Sequence, residues 1–248
     1  MDAAPGTELT TSDLETLSRQ LGRPVRDVVE IGARCVCGNP LVATTAPRLS
    51  NGIPFPTTYY LTHPVITAAV SRLEASGLMA EMTARLEHDP GLAEKYQSAH
   101  EQYLRVRKAI GDRSGTGPVP EIDGVSAGGM PTRVKCLHVL VGHSLAAGPG
   151  VNPLGDEAVE GIAQWWTRDT CYCSGAWDTA GSAPDRELSR HTRTQNLSPE
   201  EIDAKRASRR AAADAAEATT ATTGTAPTGT APTGPAPTGT DANTPEKP

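Results

Sequence analysis

Gly128-Gly129-Met130-Pro131-Thr132-Arg133-Val134-Lys135-Cys136-Leu137-His138-Val139-Leu140-Val141-Gly142-His143-Ser144-Leu145-Ala146-Ala147-Gly148-Pro149-Gly150 is the stretch around which the rest of the chain can be arranged. Paired glycines break the chain at one end, Gly148-Pro149-Gly150 stops it at the other, and Pro131 suits a first helical position. A helix over Pro131 to Ala147 is therefore predicted. Val134, Leu137, Val139, Leu140, Val141 and Leu145 leave it no wide polar face, which is the pattern of a buried helix. Its polar residues must then find partners. At about 100° per residue, Cys136 and His143 fall within roughly 20° of each other and share a stripe, whereas His138 lies about 200° from Cys136 and points away.

Composition narrows the class. The chain has 248 residues and a net charge of -6, so no overall positive field argues for nucleic acid or an acidic membrane as partner. No run of about eighteen apolar residues marks an integral membrane segment, and Met1-Asp2-Ala3-Ala4-Pro5 lacks a signal-peptide start, so a cytoplasmic protein is expected. Five cysteines form no secreted-type disulfide ladder; reduced thiols or metal ligands fit better.

Outward from the central helix, Ser12-Asp13-Leu14-Glu15 reads as a capping box before Leu14, Leu17 and Leu21, with Gly22 as terminator. Val29, Ile31, Ala33 and Cys35 alternate with Val28, Glu30, Gly32 and Arg34 as in a half-buried strand, and Cys37-Gly38-Asn39-Pro40 turns the chain into a partner over Leu41 to Thr45. Thr57 to Thr62 predicts a third strand. Two short helices follow through Val65 to Gly77 and Leu78 to Asp89. Asp89 and Pro90 then open the longest helix, whose apolar stripe runs from Leu92 through Tyr96, Ala99, Tyr103 and Val106 to Ile110. Gly111 to Gly124 reads as a loop, Asn152 to Asp156 as a turn, and Glu157 to Trp166 as a short helix. The expectation is an α+β domain in which a small antiparallel sheet of about three strands packs against several helices, one of them central and buried. Its organisation is expected to be 1–12 flexible, 13–170 globular, 171–197 linker, 198–217 a charged helix and 218–248 a disordered Thr/Ala/Pro/Gly tail.

The run Pro47-Arg48-Leu49, Gly52, Pro54-Phe55-Pro56-Thr57, Tyr59-Tyr60-Leu61-Thr62, then Ser71-Arg72-Leu73-Glu74, Gly77-Leu78-Met79, then Ser126 to Pro131, Arg133 to His138, His143, and finally Asn152-Pro153, Gly155-Asp156 resembles the bacterial family catalogued as domain of unknown function 501, over about Leu14 to Glu160. The resemblance implies an actinobacterial setting and no known activity. It implies Cys35, Cys136, His138 and His143 as motif positions, and gene neighbours that encode a septum-formation initiator and an exopolyphosphatase-like enzyme.

Three functional readings follow. In the first, Cys35, Cys37, Cys136 and His143 are candidate metal ligands: three thiolates and an imidazole suit zinc, while inert core thiols and a thiol nucleophile served by histidine remain alternatives. Without Cys37, the other three would leave the open position of a catalytic zinc. In the second, Gly128 and Gly129 open a helix amino end where Arg133, Lys135 and Arg48, with Tyr59 nearby, bind a small anionic, phosphorylated ligand, and His138 is the catalytic acid–base candidate of a metal-assisted hydrolase or transferase. In the third, the chain is a non-catalytic adaptor for a division-machinery protein, docking through the Tyr96 to Ile110 stripe.

Overall fold

A computed structural model describes residues 6–173. The helix expected over 198–217, the tail over 218–248 and most of the 171–197 linker lie outside the described residues. The elements run α1 (Thr11–Leu21), β1 (Val28–Arg34), β2 (Pro40–Thr45), β3 (Tyr59–Leu61), α2 (Pro64–Ala75), α3 (Leu78–His88), α4 (Pro90–Ser114), α5 (Leu137–Ala147) and α6 (Pro153–Gly161), with a 3-10 turn at Pro120–Ile122. This is the expected α+β fold: one antiparallel sheet in the order β1-β2-β3, helices around it, and α5 buried at its centre.

Local chemistry sets the boundaries. The capping box of α1 is Thr10 with Asp13, ahead of the expected Ser12 to Glu15 box: the Thr10 hydroxyl accepts from the Asp13 amide at 3.1 Å, and Asp13 accepts from the Thr10 amide at 2.9 Å. Asp13 wins that role because Arg34, at the end of β1, donates to both of its oxygens at 2.6 and 2.9 Å. The fold also reaches back to Thr7, which bridges to Ile31. Asp89 caps α4 as read from the sequence, accepting from the Leu92 amide. Asn152 caps α6, so that helix starts within the stretch read as a turn.

The sheet is covered on both faces. β2 is buried at all six positions. Val42 looks into the main core, whereas Ala43 meets Leu17 of α1 and Ile31 of β1 on the opposite face. The simple alternation expected through β1 does not persist, because register shifts interrupt its pairing with β2 in three places and each can change the face a side chain takes. Ile31 thus packs toward α1, while Cys35 joins the main core.

Helix α5 lies against this sheet at very close range. A β-carbon on Gly142 would stand 3.0 Å from the Tyr59 carbonyl oxygen of β3, and one on Gly32 would stand 3.1 Å from Ala146 Cβ. On its other side α6 crosses with Gly155 pressed on the Leu140 carbonyl. The α4 stripe that was read as a docking face packs inward instead: Tyr96, Ala99, Tyr103 and Ile110 are fully buried. Tyr103 ties α4 to the β3 approach, donating its hydroxyl hydrogen to the Pro56 carbonyl and accepting from the Thr58 amide.

The central helix begins at Leu137, not Pro131. Residues 128–135 form a closed loop instead, with the Arg133 amide donating to the Gly129 carbonyl at 3.2 Å and the Lys135 amide to the Gly128 carbonyl at 2.8 Å. Two further bonds hold that loop down: Tyr96 donates to the Arg133 carbonyl and Thr83 accepts from the Val134 amide. The turn glycines are needed here, since Gly129 has φ 94° and a β-carbon on it would lie 2.7 Å from the Arg133 oxygen.

Because the Gly142 contact is with sheet backbone that cannot rotate aside, Gly142→Ala is expected to destabilise the domain by about 1–3 kcal/mol. Urea unfolding of the variant measures this, and a midpoint equal to wild type would contradict the packing.

Candidate metal centre

The hairpin between β1 and β2 builds the first half of the site. Gly38, at φ 93°, lets the chain reverse while its amide donates to the Cys35 carbonyl at 2.8 Å and the Cys35 amide donates to the Asn39 carbonyl at 2.8 Å. This compact turn carries Cys35 on its buried side and Cys37 on its exposed side. The second half comes from beyond α6, where Tyr172 and Cys173 pack against the core. The ligand atoms of Cys35, Cys37, Cys171 and Cys173 all lie within 4.8 Å of one another, a set able to hold a metal ion. Cys37 and Cys173 stand 3.4 Å apart, Sγ to Sγ.

Around these thiols stand two polar side chains. Asn39 hydrogen-bonds Cys173, and His63, the residue that precedes α2, brings Nε2 to 3.5 Å from Cys173 Sγ. Burial, reinforced by Cys37 and Cys35 and only partly opposed by Asn39, pushes the Cys173 thiol well up. Burial likewise pushes His63 down to about 4, so it faces the sulfurs as a neutral imidazole.

The ligand set read from the sequence therefore divides. Cys35 and Cys37 do come together, but their companions are Cys171 and Cys173, from the segment read as linker. Cys136 belongs to a second cluster with Glu74 and His138, whose ligand atoms are also within 4.8 Å of one another. Cys136 is the residue before the helix, at φ -157° and ψ 112°, so turns of α5 cannot be counted from it. His138, expected to point away, is its neighbour.

His143 lies in neither cluster. It is fully buried, stacked on Tyr59 at 5.4 Å and edge-on to Tyr103 at 5.2 Å. The Asn152 side-chain oxygen accepts from the Gly155 amide, so its NH2 faces His143 Nδ1 at 3.1 Å and donates to it. The ring proton is then on Nε2, which donates to the Gln102 side-chain oxygen at 2.7 Å. Burial holds this imidazole down to about 3. It acts as a neutral link between α4, α5 and α6.

The residues read as an anion pocket go to different places. Gly128, Gly129, Arg133 and Lys135 make the closed loop, with both cationic side chains exposed. The Leu137 amide at the start of α5 is taken by Glu74 at 2.7 Å. Arg48 pairs with Glu121 at 2.7 Å, and Tyr59 is buried under α5, where burial raises its phenol well above the usual range. Sequence reading missed Cys171, Cys173, Glu74 and His63; the one signal available was the repetition of Cys-x-Cys at Cys35-Cys37 and Cys171-Cys173.

Fold and site together define a helix-rich α+β domain that carries side-chain clusters able to bind a metal ion. The family model for the protein of unknown function DUF501 matches residues 31–160, more than half of the chain, and the chain belongs to that family. The matched span contains Cys35, Cys37, Glu74, Cys136 and His138, whereas Cys171 and Cys173 lie beyond it. No curated protein and no solved structure gives a significant match. Among the described residues, no helix is long and apolar enough to cross a membrane.

Linkage through His143 gives a pH signature. The unfolded chain takes up a proton on this residue near its ordinary value of 6.5, while the native state resists until about 3. Its contribution to stability is therefore complete above pH 6.5 and is lost as pH falls from there toward 3. In chemical unfolding measured across that range, the wild-type slope should exceed that of His143→Gln; equal slopes would show that the histidine is not held neutral.

Proposed function

We propose that this chain is a zinc-binding protein whose ion sits between Cys35, Cys37, Cys171 and Cys173 and fastens the far end of the described fold to the first hairpin. The observation that carries this reading is the convergence of two Cys-x-Cys pairs, with Cys37 and Cys173 separated by 136 residues in the chain and 3.4 Å in space. Four thiolates are the donor set that zinc takes in closed, tetrahedral structural sites, and such a set leaves no position for water or substrate. The role is thus to hold structure, not to catalyse at this ion. His63 and Asn39 supply the hydrogen bonds to sulfur that support such centres. Unpaired thiols in all five positions also favour a reducing compartment, the cytoplasm.

Cys37 and Cys171 are exposed, so serine at either position leaves the core intact. Metal analysis of the purified full chain is expected to find stoichiometric zinc at this centre, with Cys37→Ser and Cys171→Ser each losing one ion per chain and melting at a lower temperature. Zinc content unchanged in both variants, or a Cys37–Cys173 disulfide in protein purified under reducing conditions, would overturn the reading.

A further inference from the structure

We propose that Glu74, Cys136 and His138 form a second metal site, of the open kind, which binds a divalent first-row transition ion and keeps a coordination position for water or a small ligand. The site lies where the start of α5 meets the end of α2. Thr67, Ser71 and Glu74 occupy one face of α2, and Cys136 and His138 flank the first residue of α5.

The geometry of the imidazole carries the inference. Nε2 of His138 lies 3.2 Å from the Thr67 carbonyl, which can only accept, so this nitrogen carries a proton. Ser71 Oγ stands 3.4 Å from the same nitrogen. Nδ1 is thereby left facing Glu74 Oε1 at 3.1 Å, with the Cys136 sulfur in the same cluster. With a proton on Nδ1 the imidazole pairs with the Glu74 carboxylate, and the Cys136 sulfur and Glu74 together raise the pKa of His138. A metal ion would displace that proton and take the imidazole nitrogen, the carboxylate and the Cys136 sulfur as three donors turned on one point. A ring nitrogen donating to a backbone carbonyl while its partner nitrogen faces the ion is the usual way a ligating histidine is oriented.

The donors are held before any ion arrives. Glu74 is fixed by the Leu137 amide at 2.7 Å, and its carboxylate retains lone pairs for a further partner. All three residues are half-buried, with the side chains of His138 and Glu74 both 24% exposed, so the cluster remains open to solvent. A surface cleft of ≈ 510 Å³ adjoins it, lined by Glu74, Met79, Thr83, Glu87 and Val134. Nitrogen, sulfur and oxygen from three protein residues is the donor count of catalytic zinc, in which the remaining position belongs to water or substrate. The ion at this site would act as a Lewis acid on a ligand held in that cleft.

Cobalt(II) serves as the probe, because its bands report ligand type and coordination number. Full-length protein stripped with chelator should take up two Co2+ per chain, and the Cys37→Ser/Cys171→Ser form one. In that double variant the remaining thiolate-to-cobalt band should vanish on adding Cys136→Ser. Glu74→Gln keeps an oxygen to accept from the Leu137 amide, and so spares the helix end, yet should weaken Co2+ binding by more than about tenfold, the lower end of what losing even an outer partner costs. Azide should shift the visible bands of the double variant, since it can enter an open position. A folded double variant, checked by circular dichroism, that binds no Co2+, or binds it unchanged with Cys136→Ser, overturns the proposal, as does a spectrum indifferent to azide. Failure of the four-thiol centre is read separately, as loss of Co2+ uptake in the Cys136→Ser chain whose four other cysteines are intact.

Discussion

The hydrogen bond from the Leu137 amide to the Glu74 carboxylate decides more of this molecule than its 2.7 Å would imply. A helix must begin somewhere, and its first amides need acceptors. Here the acceptor comes from another helix, not from a residue just upstream. That choice leaves residues 128–135 free to close into their own loop, puts Cys136 outside the helical repeat, and turns it toward His138 and α2. With α5 starting at Leu137, Gly142 arrives over the Tyr59 carbonyl and His143 enters the core between Gln102 and Asn152. A carboxylate at a helix amino end is favoured by the dipole as well as by the bond, so the contact combines two forces that a neutral cap would not.

The fold class was legible because it rests on local patterns. Asp89-Pro90, Gly22, the Cys37 to Pro40 turn and the apolar character of α5 each act over a few residues, and each has its structural counterpart. What could not be read was anything that depends on a partner distant in the chain. Pro131 is a good helix opener in isolation; Tyr96, Thr83 and Glu74 make it something else by supplying other partners for the surrounding backbone. The strand alternation of β1 failed for a similar reason, since its bulges answer to β2 and to helices on both faces.

The site was half legible. Cys35 and Cys37 stand out as ligand candidates from the strand end that carries them, whereas helical spacing pairs Cys136 with His143 and sets His138 apart as an acid–base candidate. Their groupings came out differently because an angular count assumes a helix that has not yet begun at Cys136. Cys171 and Cys173 fall in the expected 171–197 linker, beyond the stretch that carries the family resemblance. Tyr172 and Cys173 nevertheless pack on the core, and a cluster of thiols can dock a segment that hydrophobic burial alone would hold only weakly. His143 shows the converse: a histidine with a cysteine at heptad spacing looks like a ligand, yet both of its nitrogens are used by amide side chains, and the reason for its presence is to join three helices without a charge.

The two clusters differ in ways that follow from where they sit. Cys35, Cys37, Cys171 and Cys173 bring one type of donor from two separate segments, so an ion there would join the first hairpin to the segment after α6. Glu74, Cys136 and His138 bring three types of donor from two elements already fixed to each other by the Leu137 cap, so an ion there would have little structural work left to perform. A preorganised, mixed and half-exposed donor set is poorly suited to holding a fold together and well suited to holding an ion that must exchange its outer ligand. On the proposed reading, the bond that starts the central helix also separates an ion that would stabilise from one that would be free to exchange its outer ligand.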